Sequence, residues 1–329
     1  MRLLVLLLSF TAVIAVNPAA RAQPASDPRA IWTLQGENAS ISSANLTDRY
    51  YTNGLRLGWT SPTGAVPDAL AQFGQSLLGD GQQRMTLGLT QQIYTPVATQ
   101  LAIPPPTDRP YAGVLMGSLG LVHDSAGART ELGLALGLIG PAALGRQVQN
   151  GFHSIIGQNG NRGWGRQIAN EPLVQATASR TWRQNLGNAG GLEIDALPNL
   201  AVGVGNLRLY GQAGITFRIG QGLGNDFGVA RILPGLSGGD AHLPADFAWY
   251  VFVGGDGQAV ARDITLDGND FVSGPSVRRT PLVGELQGGL AVIGWGLRLS
   301  YTHVLQTQTF KGQRGGLHQL GALAVSARF

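Results

Sequence analysis

Gln149 and His153, four residues apart, are the pair in this chain best suited to moving a proton. Imidazole has an ordinary pKa close to neutrality, so it can take a proton from water and give it back within one reaction cycle. Four residues apart on a helix, the two side chains stack along one edge. The surrounding stretch, residues 140–172, supports a helix. Pro141 suits a first helical position and Gly157 suits the residue just past the end, which predicts about four turns between them. At about 100° per residue, Leu144, Val148, Phe152, Ile155 and Ile156 share one face, so the polar pair borders an apolar stripe. A histidine on such an edge has two readings: a catalytic base, or a structural group hydrogen-bonded to a neighbouring loop.

Other chemistry is weakly represented. His123, His242, His303 and His318 are scattered without metal-ligand spacing, and there is no Gly-x-Ser-x-Gly nucleophile elbow. The chain has no cysteine, which excludes a disulfide framework and a lipidated N-terminal cysteine. The first residues combine Arg2, an apolar run from Leu3 to Val16 and an Ala20-Arg21-Ala22 site. Residues 1–22 therefore read as a cleaved secretory signal peptide, and residues 23–329 as one exported domain. Removing Arg2 and Arg21 from the 23 basic residues leaves 21 against 19 acidic ones, so overall charge points to no nucleic-acid partner. Lys311 is the only lysine; the remaining bases are arginines, whose planar fork suits phosphate.

The elements that must position His153 alternate with a period of two. Glycine contributes 49 of 329 residues with no collagen period, and mean hydropathy is near zero. Both fit an outer-membrane β-barrel, in which only every second residue faces lipid. About twelve strands are expected, over residues 30–39, 52–61, 84–93, 112–123, 130–139, 173–183, 192–203, 207–219, 247–266, 279–293, 296–310 and 317–329. Leu132, Leu134, Leu136 and Leu138 alternate with Gly133, Ala135 and Gly137 in the clearest lipid-facing pattern. A long glycine-rich connection runs through Gly239. Trp32, Trp59, Trp182, Trp249 and Trp295 fall near strand ends, where aromatic girdles belong. The last strand places Gln319, Gly321, Leu323, Val325, Ala327 and the terminal Phe329 on one face, a pattern similar to the signal read by the barrel-assembly machinery. The fold class is thus an all-β, twelve-stranded antiparallel transmembrane barrel with a short helix in one loop region.

An ordered set of motifs covers nearly the whole mature chain. It runs Glu37-Asn38, Asp48-Arg49-Tyr50-Tyr51-Thr52-Asn53-Gly54, Gln92-Ile93-Tyr94-Thr95-Pro96 and Asp108-Arg109-Pro110-Tyr111-Ala112-Gly113. It continues with Gly140-Pro141-Ala142, Gln149-Asn150, His153, Ile155-Ile156-Gly157, Gly163-Trp164, Gln167 and Asn170-Glu171-Pro172. This set resembles the lipid A 3'-O-deacylase family of outer-membrane barrels. The resemblance implies a hydrolase that removes the 3'-linked acyloxyacyl chain of lipid A in the outer leaflet of a Gram-negative bacterium, with calcium as cofactor. It also implies lipopolysaccharide as partner, His153 as general base, Asn38 and Thr52 in the cluster holding metal and oxyanion, and Gln149 and Arg109 on the substrate. Two departures stand out. The family usually has aspartate after the asparagine, where this chain has Ala39. Where a relative carries a functional lysine, this chain has Thr99-Gln100-Leu101. Glu37, Asp48 and Asp108 are the alternative acids, although Glu37 would need a bulge to reach the same face as Asn38. A non-catalytic lipopolysaccharide-binding barrel and an outer-membrane phospholipase are the competing readings.

Overall fold

The computed structural model describes residues 26–42, 49–232 and 240–329. The expected signal peptide and Asp48 lie outside them. Thirteen strand segments form one antiparallel sheet that closes on itself: β1 (Ile31–Asn38), β2 (Tyr50–Thr60), β3 (Gln82–Thr95), β4 (Ala112–Ser125), β5 (Ala128–Ile139), β6 (Glu171–Trp182), β7 (Gln184–Ala189), β8 (Leu192–Gly205), β9 (Arg208–Gln221), β10 (Phe247–Asp263), β11 (Leu282–Gly294), β12 (Leu297–Gln306) and β13 (His318–Arg328). β1 pairs with β13 at the seam, and β6 and β7 both pair with β8. Only Arg183 separates β6 from β7, and they run along the same edge of β8, so they are two halves of one wall strand. The barrel therefore has twelve strands, the number the alternation predicts.

Parity defines the two faces of the wall. Thr33, Gln35 and Glu37 are buried while Trp32 and Leu34 are exposed, so odd residues of β1 face the lumen. Leu134, Leu136 and Leu138 of β5 are exposed on the outer face, as an apolar belt against lipid requires. The start of β1, the end of β13 and the two-residue turns between β4 and β5, β7 and β8, and β11 and β12 lie at one end. The long connections after β1, β3, β5, β10 and β12 lie at the other.

The expected strand over residues 247–266 stops at Asp263. Its carboxylate accepts hydrogen bonds from the Thr265 amide (3.0 Å) and hydroxyl (2.6 Å), capping the short helix α4 (Ile264–Asp267). The expected four-turn helix is also interrupted. A 3-10 turn, Pro141–Ala143, ends at Leu144 with φ of 61°, and α3 (Gly145–Ile155) starts from there, with Gly157 at φ of 71° just beyond its end. The first connection contains a four-residue turn, α1 (Ala39–Ser42), and the second an unforeseen helix, α2 (Asp68–Leu78). Gly74 interrupts the apolar pattern of α2. It is also where α2 touches the wall, since a Cβ there would lie 2.7 Å from Leu121 Cδ2.

The glycine-rich connection between β9 and β10 turns back into the lumen. Asp226 receives Arg218 (2.6 Å), Arg298 (3.2 Å) and the Tyr250 hydroxyl (2.8 Å), and Asp240 receives Arg56 at 2.6 Å. The Ile232 amide donates to Glu37 at 2.8 Å, and Arg231 pairs with Glu285 at 2.7 Å. Each buried charge thus meets an opposite charge or a hydrogen bond, the condition under which charges survive out of water.

Candidate active site

α3 lies against the outside of the wall. Gly113 of β4 and Gly145 at the start of α3 approach so closely that a Cβ on Gly113 would lie 3.0 Å from the Gly145 nitrogen. One turn later Val148 packs against Ile93 of β3, together with Tyr111 and Trp164. Ile93 is on the outer face, because Tyr94 beside it joins the luminal cluster. Gln91, on the same outer face as Ile93, donates to the Ala143 carbonyl at 2.7 Å and fixes the turn that precedes the helix.

The helix presents its faces in an order opposite to that of a helix on a water-soluble protein. Its wall side carries Gly145, Gln149 and His153, the last two 5% and 6% exposed. Phe152, Ile155 and Ile156 are exposed, Ile155 by 83%. A polar edge toward protein and an apolar edge away from it make sense where the surroundings are lipid. His153 Nδ1 lies 3.0 Å from the Asn159 carbonyl oxygen, which can only accept, so Nδ1 carries the proton and Nε2 is the basic nitrogen of the neutral ring. Gln149 Oε1 accepts from Trp164 Nε1 at 3.0 Å. Asn150 holds both the amide (2.8 Å) and the carbonyl (3.2 Å) of Asn161. The loop after the helix is thereby tied back beneath it.

Two polar pairs stand on the same outer face. Asn38 ends β1 opposite Asn53 of β2, its Nδ2 3.4 Å from Asn53 Oδ1, while its own Oδ1 accepts from the Ser40 amide at 2.6 Å. The register of β2 against β3 slips between Tyr51 and Asn53, and Thr52 in that bulge meets Thr95 hydroxyl to hydroxyl at 2.6 Å. Tyr50, two residues earlier, has φ of 63° and is held by the Arg314 amide and carbonyl. Asn53 and Thr95 are partners that a count of parity misses. Both stand in the quoted motifs, but only the bulge brings the Thr52 hydroxyl onto Thr95.

The expected residues are not all brought together. Arg109 enters the mouth of the lumen, donating to Thr265 Oγ1 at 2.6 Å and lying 4.3 Å over the Tyr94 ring, so the wall separates it from α3. Burial pulls its guanidinium below the ordinary arginine range, against the pull of Asp263. Arg180 lies beside Trp182 at the far end of β6, away from α3. Glu37 faces the lumen and accepts from Tyr51 (2.9 Å) and Gln35 (3.1 Å), with β1 unbulged through Asn38. Asp108 caps its own loop, accepting from the amides of Val97 and Arg109. Ala39 is buried and brings no acid, and the side chain that Asn38 faces across the strands is the neutral amide of Asn53. No group of three or more histidine and acidic side chains able to hold a metal exists among the described residues. Calcium takes six to eight oxygens and draws its affinity from carboxylates, so the described residues do not fit it.

A family model described as "Outer membrane protein LpxR" matches residues 4–329. Among solved structures, LpxR from Salmonella typhimurium is similar over 91% of this chain and 100% of that chain, with a TM-score of 0.72 and 21% identity. The β domain of the Bordetella autotransporter BrkA covers 93% and 100% at a TM-score of 0.44 and 12% identity. The transport unit of the Escherichia coli autotransporter AIDA-I covers 97% and 94% at 0.40 and 14%. No curated protein sequence matches significantly.

Proposed function

Because the chain belongs to the LpxR family of outer-membrane proteins, the lipid A 3'-O-deacylases whose motifs its sequence resembles, we propose that it hydrolyses the 3'-acyloxyacyl ester of lipid A with His153 as general base. The observation that carries this reading is the bond between His153 Nδ1 and the Asn159 carbonyl, on a helix whose polar edge faces the outer wall. It fixes the orientation of the ring and the tautomer in which Nε2 is the proton-accepting nitrogen, as a general base needs. α3 rests on β3 and β4, and the Thr52–Thr95 and Asn38–Asn53 pairs stand on the same outer face of the wall. In this reading the hydroxyls and amides of those pairs offer neutral hydrogen bonds to the carbonyl oxygen as it gains charge. Nε2 takes a proton as water adds to the carbonyl carbon. The proton returns to the sugar oxygen as the ester C–O bond breaks, leaving a fatty acid and a lipid A hydroxyl.

Alanine rather than an acid at position 39, next to Asn38, favours a second reading, a barrel that binds lipopolysaccharide without cleaving it. Mass spectrometry of lipid A separates the two. Cells carrying the wild-type barrel are expected to lose the mass of one acyloxyacyl chain, and cells carrying His153→Ala to keep it. Unchanged lipid A with both, at equal barrel levels in the membrane, would overturn hydrolysis in favour of binding. Fatty-acid release from phospholipid alone would indicate a phospholipase.

A further inference from the structure

The outward-facing aromatic residues at the end of the barrel that carries the chain termini form an incomplete ring. Trp32 and Trp59 stand opposite each other on β1 and β2, Trp182 ends β6, Phe247 and Trp249 begin β10, and Trp295 and Phe329 project from the last turn and the C-terminus. The arc made by β3, β4 and β5 contributes none. Their one aromatic residue, Tyr94, is at the opposite end and turned inward. α2 lies over that arc, docked by Gly74 onto Leu121 of β4 and Gln83 of β3.

The wheel of α2 has three sectors. Gly74 faces the wall. Phe73 and Leu77, four apart and within about 100° of Gly74, are 53% and 58% exposed and continue the apolar side. Gln75 and Asp68, about 100° and 120° from Gly74 in the opposite sense, carry the polar side and are also exposed. A helix flat against the wall, half apolar and half polar, is the form that lies in a membrane interface. Its height agrees. α3 meets β4 at Gly113 and α2 meets it at Leu121, eight residues apart. That is about 26 Å along the strand, or about 20 Å along the barrel axis for a tilt of about 40°. The apolar band of such barrels is about 25 Å tall, so the two helices stand near its two edges.

We infer that α2 completes the aromatic girdle, inserting Phe73 and Leu77 into the interface of the phospholipid leaflet on the side of the short turns. The occupant is lipid because the exposed apolar side of α2 continues the belt of Leu87 and Leu119 on the same strands. The chain has no cysteine, so one introduced thiol carries a spin label unambiguously. The barrel is reconstituted in phosphatidylethanolamine–phosphatidylglycerol bilayers as Phe73→Cys, Leu77→Cys or Gln75→Cys. Collision rates with oxygen, which concentrates in lipid, and with a water-soluble nickel chelate are then compared. Phe73→Cys and Leu77→Cys are expected to favour oxygen and Gln75→Cys the chelate, a change of sign within one helical turn. Preference for the chelate at all three positions would overturn the inference. So would protection of Phe73→Cys from both reagents, which would indicate a protein partner or a second copy. The surface sites are far from His153, and the readout is independent of hydrolysis.

Discussion

At the scale of single residues, the site departs from its family at Ala39, and the consequence can be measured without a substrate. Wild-type protein is expected to show little calcium-dependent thermal shift below the millimolar range, because neutral oxygens alone bind this ion weakly. Ala39→Asp places a carboxylate beside Asn38 and is expected to create such a shift. A strong shift in the wild type would show that an acid outside the described residues completes a metal site. His153→Gln keeps volume and polarity but removes the basic nitrogen. Its turnover is expected to fall by at least about 100-fold, the usual contribution of a positioned base, with the folded barrel unchanged by its electrophoretic mobility before heating.

At the scale of elements, α3 depends on a close approach of two backbones. A side chain at Gly113 would push Gly145 outward and carry His153 with it. Gly113→Val is therefore expected to lower kcat/KM by about 100-fold, the cost of small misplacements of a catalytic group, while the barrel still folds. An unchanged rate would show that His153 is positioned by its loop alone. The sequence made much of this arrangement legible. The leucine stripe of β5, the tryptophans at strand ends and the glycine past α3 follow from period-two and helix-end rules. The rest depended on tertiary contacts. Leu144 in a left-handed conformation, which costs about 1 kcal/mol for a side chain that is not glycine, has no local signal. Nor does the bulge at Thr52. The position of Arg109 has no local signal either: a loop residue between prolines has no parity, and it is the Tyr94 ring that it lies over at the mouth of the lumen. α2 was hidden because the glycine that breaks its pattern is the one that docks it.

At the scale of the whole molecule, the barrel is tied at the terminal end by Asp27, which holds Arg84 at 2.9 Å and Arg328 at 2.6 Å, linking the approach to β1 with β3 and β13. Burial raises the pKa of its carboxyl, but the hydrogen bonds from Arg84 and Arg328 outweigh that and hold it below the usual range. A depressed folded-state pKa contributes stability above the unfolded value, about 4, and the contribution fades as pH falls through the folded value. Asp27→Asn is expected to cost about 3 kcal/mol at pH 7, since two buried guanidinium groups lose their anion. The gap between variant and wild type in urea unfolding should narrow toward pH 3. A gap constant with pH would assign the effect to packing. The ion pairs of the β9–β10 connection close the lumen, so the purified barrel is expected to pass no steady current across a planar bilayer, and Asp226→Ala to introduce transient openings.

That same connection works as a clasp. It holds Gln35 and Glu37 on β1, Arg56 on β2, Glu285 on β11 and Arg298 on β12, which are residues from both sides of the β1–β13 seam. Arg231 alone faces Glu37 on one side and Glu285 on the other. A peptide inside the cylinder thus bridges, from within, the line along which the first and last strands are zipped together.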